Sequence, residues 1–232
     1  NGEIYNFSKV KTLLEDKYSF KSNTDIEVIL HAYEEWGFKC LDKLNGMFSF
    51  VIYDSNKKLL FGARDRLGQK PLKYYFKNGI FIFASEIKAI LALLPDKPGV
   101  DEEAIDNFLT LQYVPSPQTG FKNIYKLPAA HYLIYQNNKL TIRKYWSLDL
   151  SKKENHSPKE WEDIIFNEIK RAVKSHLISD VPVGVLLSGG LDSSIIVALM
   201  AQFTSKKINT FSLGFDDKSF DETPYARIVS QI

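Results

Sequence analysis

Val183-Gly184-Val185-Leu186-Leu187-Ser188-Gly189-Gly190-Leu191-Asp192-Ser193-Ser194 is the stretch on which the reading of this chain turns. Five mainly apolar residues read as a buried strand and run straight into a Ser-Gly-Gly turn. An acid follows, and then paired hydroxyls that open a second apolar segment. Glycines let the backbone approach an anion closely, and the amides at the next helix's N-terminus point at it. Ser188, Ser193 and Ser194 add hydroxyl donors, and Asp192 is placed to hold Mg²⁺ against phosphate oxygens. The widespread phosphate loop ends in Gly-Lys-Ser/Thr, and no such lysine stands here. An ordinary glycine-rich strand-to-helix turn is the plain alternative.

Outward from this loop the elements alternate. Ser157, Pro158 and Glu160 form a capping box with proline at the first helical position. Trp161, Ile164, Ile165, Glu168, Ala172, Val173 and His176 then mark one helix face. The strand Val183–Leu187 follows, with a helix from about Ser194 to Phe203 and a strand at Ile208–Phe215. Strand, helix and strand with near-continuous apolar strands predict a parallel sheet covered on both faces, the opening of a doubly wound α/β domain. The polar run from Leu150 to Pro158 is the best breakpoint. It sets a domain at 1–150, a linker at 151–157 and a second domain at 158–232.

Residues 1–150 read differently. Thr24 or Asp25 caps a helix through Ile26, Ile29, Leu30, Tyr33 and Trp36 that ends at Gly37. Alternating segments follow at Met47–Tyr53, Leu59–Ala63, Tyr74–Phe76 and Ile80–Ala84, with Asn78-Gly79 a hairpin turn. Short helices are expected at Glu86–Leu94 and Glu102–Gln112. A last hairpin joins His131–Tyr135 to Leu140–Trp146 through Asn137-Asn138. Hairpins with separate helices predict a layered α+β domain.

The 232 residues, 44% hydrophobic and 25% charged, are ordinary for a soluble globular protein. A net charge of +2 gives no reason to expect nucleic acid, and no apolar run approaches the ~20 residues of a membrane span. One cysteine, Cys40, excludes an intramolecular disulfide and fits a reducing, cytoplasmic setting. Neither a nucleic-acid nor a membrane partner is expected; a homodimer is admissible.

Two resemblances then join. Ser188-Gly-Gly-Leu-Asp-Ser-Ser194 resembles the pyrophosphate loop of the N-type ATP pyrophosphatases, which cut ATP between its α- and β-phosphates. Asn1-Gly2-Glu3-Ile4-Tyr5-Asn6 and Thr24-Asp25-Ile26-Glu27 resemble segments of class II glutamine amidotransferase domains. Phe61 to Leu72, Ala84-Ser85-Glu86-Ile87-Lys88 and Leu127-Pro128-Ala129-Ala130-His131 continue that pattern. Both modules in this order are similar to the glutamine-hydrolysing asparagine synthetases, along essentially the whole chain and truncated at both ends. The resemblance implies an Ntn-hydrolase-type αββα domain, incomplete, followed by the start of the ATP pyrophosphatase domain. It implies an enzyme that makes asparagine, AMP, pyrophosphate and glutamate from aspartate, glutamine and ATP with Mg²⁺, through β-aspartyl-AMP.

By position, Asn1 and Gly2 would form the oxyanion hole, Asp25 would hold glutamine's α-ammonium, and Glu3 falls among the substrate-binding residues. Ser188, Gly189, Gly190, Ser193 and Ser194 would cradle pyrophosphate and Asp192 would bind Mg²⁺. Leu186 and Leu213 match positions whose backbone contacts the adenine and ribose end of ATP. Bland readings stand beside these. Asp25 alone could complement a helix dipole. Arg64, Asp65, Arg66 and Lys70 read as an exposed salt-bridged loop, His131 as structural, Glu86 as a helix cap, and Asp216, Asp217, Asp221 and Glu222 as a solvated loop or a metal site. The family's nucleophilic cysteine and its carboxylate-gripping arginine would precede Asn1, and Cys40 is expected to be a small buried residue. Residues 1–232 alone are therefore expected not to hydrolyse glutamine. Three alternatives stay open: an amidotransferase acting on another carboxylic acid, a tRNA-modifying enzyme, or a non-catalytic scaffold.

Overall fold

The computed structural model describes residues 1–179 and 181–231. Ile232, the expected end of the second domain, lies outside the described residues. The chain divides into two compact units, Asn1–Leu150 and Ser151–Ile232.

The first unit runs β1 (Gly2–Ile4), α1 (Phe7–Thr12), α2 (Asp25–Trp36), β2 (Gly46–Asp54), β3 (Leu59–Arg64), β4 (Lys73–Lys77), β5 (Ile80–Ala84), α3 (Ile87–Leu93), α4 (Glu102–Leu111), β6 (Ile124–Lys126), β7 (His131–Gln136) and β8 (Lys139–Lys144). One antiparallel sheet has the order β1-β2-β3-β7-β8 and a second the order β5-β4-β6. Helix α2 buries Val28, Ile29, Ala32 and Tyr33, two adjacent pairs one turn apart. That stripe packs with Ile4, Phe48, Phe61 and Ala63 from one face of the larger sheet. Phe61 is fully buried at its centre and stacks on Tyr33 with ring centroids 5.4 Å apart. Truncating such a side chain to alanine costs about 3–5 kcal/mol.

Strand side chains alternate faces, so the larger sheet has a second apolar surface. Val51, Leu133, Leu140 and Ile142 meet Tyr74, Phe76 and Phe81 of the smaller sheet and Leu72 just before it. On the smaller sheet's outer side Ile124, opposite Tyr75, is fully buried, and α3 packs along β4 and β5 with Ile90 fully buried. Helix, sheet, sheet and helix follow one another, the α+β layering expected of these residues. Both predicted hairpins form. Asn78-Gly79 and Asn137-Asn138 all have positive φ, which the two-residue turns joining twisted strands require.

The second unit runs α5 (Pro158–His176), β9 (Gly184–Leu186), α6 (Leu191–Ala201), β10 (Asn209–Phe211) and α7 (Thr223–Ser230). The capping box at α5 closes in both directions, Glu160 N donating to Ser157 Oγ and Ser157 N to Glu160 Oε2. Strands β9 and β10 are parallel, with Val185 opposite Thr210. Val173, Leu199 and Met200 form the buried centre between α5 and α6. Both strands are shorter than their apolar runs, because only three residue pairs find a ladder partner among the described residues. Helix α6 starts three residues before the expected Ser194. Gly190 takes the extended N-cap conformation, and Asp192 and Ser193 therefore sit in the first helical turn.

Candidate functional sites

The first site is built on the β1 edge. Ser49 N donates to Asn1 O at 2.8 Å and Asn1 N to Ser49 O at 3.1 Å, so these two residues exchange both bonds. Antiparallel ladders alternate bonded and non-bonded pairs. The next pair, Gly2 opposite Phe48, is the non-bonded kind, and the Gly2 amide faces away from β2. Only glycine fits there: φ is +132°, and a Cβ would lie 1.9 Å from Met47 O. Gly46 answers it across the ladder, where a Cβ would lie 2.1 Å from Glu3 O.

Asp25 opens α2, and its Oδ2 accepts from Ile4 N at 3.0 Å, tying the helix start to β1. Glu27 holds the approach to that helix by accepting from the Lys21 and Ser22 amides and the Ser22 hydroxyl. These bonds hold its carboxyl at about 2. Asn1, Gly2, Glu3 and Asp25 all line one cavity of about 810 Å³, completed by residues of β2 and by Phe83, Ala84 and Ser85. The four N-terminal site residues thus come together. Amide donors and a carboxylate lining one cavity suit a ligand carrying both a carbonyl and an ammonium group.

Behind β2 lies the loop expected to be exposed and salt-bridged, and the structure corrects that reading. Asp65 is fully buried, and its carboxylate accepts from the amides of Phe48, Leu67, Gln69 and Lys70. Arg64 is half-buried and donates to the carbonyls of Gly68, Lys70 and Leu127. The charges of Arg64 and Asp65 are satisfied by main chain, whereas Arg66 lies over the Trp146 ring, 5.7 Å from its centroid, and its buried Nε has no hydrogen-bond partner among the described residues. Cys40 is buried, and desolvation pushes its thiol up to about 12, which leaves no thiolate at neutral pH. His131 Nδ1 lies 2.8 Å from Ala129 O, a structural contact. Glu86 sits at the N-cap of α3 without capping it and pairs with Lys88. Asp217 and Asp221 accept from nearby Ser219 and Thr223 amides, and no group of three metal-ligating side chains occurs among the described residues.

The second site is the turn between β9 and α6. Gly189 has φ +85°, and a Cβ there would lie 2.4 Å from the main chain of Tyr225 and Ala226. Ser188 Oγ and Ser193 Oγ are 3.0 Å apart, Gly190 N donates to Ser188 Oγ, and Ser194 Oγ donates to Gly190 O at 2.7 Å. No side chain caps α6, so its first amides stay directed outward past Gly190. Asp192 is exposed in that first turn. Leu186, the last residue of β9, and Leu213, two residues past β10, are exposed, with Leu187 N bonded to Phe211 O at 2.8 Å. The expected loop residues therefore gather where the carboxyl ends of parallel strands meet a helix N-terminus, the usual ligand position in such sheets.

Residues 1–146 match the glutamine amidotransferase domain family. The chain belongs to that family. Residues 166–231 match the asparagine synthase family. A protein named putative asparagine synthetase [glutamine-hydrolyzing] 2 in Methanocaldococcus jannaschii is 43% identical, over 99% of this chain and 45% of that protein. Asparagine synthetase [glutamine-hydrolyzing] 3 of Bacillus subtilis is 39% identical, over 97% and 38%. Amidase chyE of Penicillium rubens is 32% identical, over 98% and 36%. The chain thus spans less than half the length of these relatives.

Within this amidotransferase domain, sequence reasoning missed the cavity wall. Phe48 and Ser49 lie in an alternating strand with no polar signature beyond one serine. Asp65 hides between two arginines. The ladder placing Phe48 opposite Gly2 depends on a three-residue strand too short to show a period.

Proposed function

We propose that the chain carries most of the glutaminase module and the opening of the synthetase module of an ATP-dependent, asparagine-forming enzyme. In this reading the first unit is of the Ntn-hydrolase type and the second begins an ATP pyrophosphatase domain, in a cytoplasmic protein. The observation that carries it is the pair of family matches, amidotransferase then asparagine synthase, in that order on one chain.

The chemistry follows from the residues. Hydrolysis of glutamine's side-chain amide builds negative charge on the carbonyl oxygen. The outward Gly2 amide and the Asn1 side chain supply donors that need not reorganise as that charge grows. Asp25 pairs with the substrate's α-ammonium, which orients the amide toward that edge. Glu3, lining the same cavity, is placed among the substrate contacts.

In the second unit a carboxylate must be activated before ammonia can attack it. When bound, ATP supplies that activation by transferring AMP to aspartate and leaving as pyrophosphate. The loop fits this anion. Gly189 lets the main chain fold to where a Cβ would collide, while Ser188, Ser193, Ser194 and the uncapped α6 amides present donors. Asp192 is an exposed carboxylate beside that cradle. This suits Mg²⁺, which takes one or two carboxylates together with phosphate oxygens. Leu186 and Leu213, exposed at and just past the strand ends, would lie along the nucleoside.

A second reading keeps the amide chemistry but changes the acid to another carboxylic acid; the likeness to a protein named an amidase, at 32% identity, leaves room for a different substrate. The deciding experiment measures pyrophosphate release by the full-length gene product with ATP and Mg²⁺, with and without aspartate, under glutamine or ammonia. Aspartate-dependent release with asparagine formed is the expected result. Release stimulated only by a different acid would replace aspartate with that acid.

A further inference from the structure

We propose that Asp65 is a positioning residue for glutamine hydrolysis: its buried carboxylate fixes the Phe48–Ser49 main chain from behind and so sets where the Asn1–Gly2 edge stands. The inference rests on the glutaminase reading of that edge.

Asp65 is fully buried, and its two oxygens divide their work. Oδ1 accepts from Leu67 N at 3.1 Å and Gln69 N at 2.9 Å, a local turn. Oδ2 accepts from Lys70 N at 2.9 Å and reaches β2 at Phe48 N, 3.3 Å away. The Asp65 main chain completes the grip, its N donating to Phe48 O at 2.8 Å. One residue on, Ser49 Oγ donates to Pro71 O at 3.0 Å. Phe48 and Ser49 therefore form a plank with β1 bonded along one edge and the 65–71 loop along the other.

The loop is itself anchored. Arg64 binds three carbonyls across it, and Gly68 sits at φ +68°, where a Cβ would come within 3.0 Å of both Ala129 Cβ and Arg64 Cζ. Gly2 has no side chain for the protein to hold, so its amide is placed by the ladder bonds of its neighbours and by the Asp25 bond to Ile4 N. A displacement of the Phe48–Ser49 main chain passes to the oxyanion donor through the two Asn1–Ser49 bonds, and misplacement by ~1 Å slows such chemistry about 100-fold.

The test is Asp65→Asn in the full-length gene product. This near-isosteric change sets an amide NH₂ against two of the four N–H donors, whichever way it turns. The expected result is a kcat for glutamine hydrolysis lowered at least about 10-fold, with KM within about 2-fold because Asp25 is untouched. Ammonia-dependent pyrophosphate release, which does not use this site, should hold at the wild-type rate. Ser49→Ala removes only the bond to Pro71 and should give the same pattern at about 3-fold; it decides the matter if Asp65→Asn does not fold. Wild-type kcat in the deciding variant overturns the proposal, as does an equal loss of glutamine- and ammonia-dependent activity. A wild-type protein that releases no glutamate overturns the site reading, and the proposal with it.

Discussion

The two candidate sites both turn on a glycine with positive φ whose Cβ would strike main chain, yet they are held in different ways. Gly2 stands in a five-stranded sheet with apolar packing on both faces, and its neighbour across the ladder is pinned from behind by a buried acid. The turn around Gly189 leans on a two-stranded ladder and on bonds among its own serines. The first site is preorganised by a sheet packed on both faces, the second mainly by bonds within its own loop and by one close approach to the main chain of Tyr225 and Ala226. Damage should therefore spread differently in the two: at the first through the sheet, at the second only as far as one hydroxyl reaches.

The sharpest way to break this comparison is Gly2→Ala in the full-length gene product. The backbone N–H is kept but the Cβ collision with Met47 O displaces it, and loss of that oxyanion contact should lower glutamine-dependent turnover about 100- to 1,000-fold while ammonia-dependent pyrophosphate release survives. Loss of both would show that the edge supports the whole fold and not one reaction. Ser193→Ala removes a hydroxyl bonded to the Ser188 amide and side chain. It should lower both glutamine- and ammonia-dependent release about 10-fold, because a lost neutral hydrogen bond is worth ~1 kcal/mol and a lost contact to a charged group about 1.5–3. A change confined to the glutamine-dependent rate would contradict the assignment of that loop.

Hydrogen exchange tests the comparison without activity. Amides of Phe61 and Leu133, in the middle of the larger sheet, should rank among the slowest, and those of Val185 and Thr210 should exchange well before them. Smaller still is the capping box. Ser157→Ala should cost about 1 kcal/mol of stability in the second unit, read as a lower melting temperature there.

The least effect is one of pH. Backbone amides lower Glu27 from 4.5 to about 2, and Lys57, with its amide foremost, lowers Asp54 from 3.8 to about 2. Folded-state values below the unfolded ones stabilise the protein above about pH 4.5, and that contribution is lost as pH falls toward 2. Glu27→Gln should flatten this limb of an acid-unfolding curve and leave stability at pH 7 to 8 without slope. An unchanged limb would show that the carboxylate holding the start of α2 is already lost in the ensemble that unfolds.

How far these features were legible in the residues depends on the range of the forces that make them. Helix α5 and its start were read directly, because Ser157, Pro158 and Glu160 act within one turn. So were the end of α2 at Gly37 and both Asn-bearing hairpins, where backbone sign is a local matter. The loop serines lie together between β9 and α6, although the apolar runs beside them overstate strands that end when partners end. Asp65 was misread for the opposite reason. Its partners Phe48 and Lys70 stand 17 and 5 residues away, and nothing in Arg-Asp-Arg announces that four amides will converge on the acid. Burial of a charge is decided by tertiary neighbours, and a local window does not contain them.

The glycines of β1 and β2, Gly2 opposite Phe48 and Gly46 opposite Ile4, have an evolutionary consequence. A Cβ at Gly2 would meet Met47 O, and one at Gly46 would meet Glu3 O, so both obstacles are main-chain atoms. Every other residue carries those same atoms, and no exchange of a neighbouring side chain could relieve either collision. In a saturation library the two positions should behave as single-letter sites without second-site suppressors, and the ladder's geometry should be inherited as a unit or lost as one.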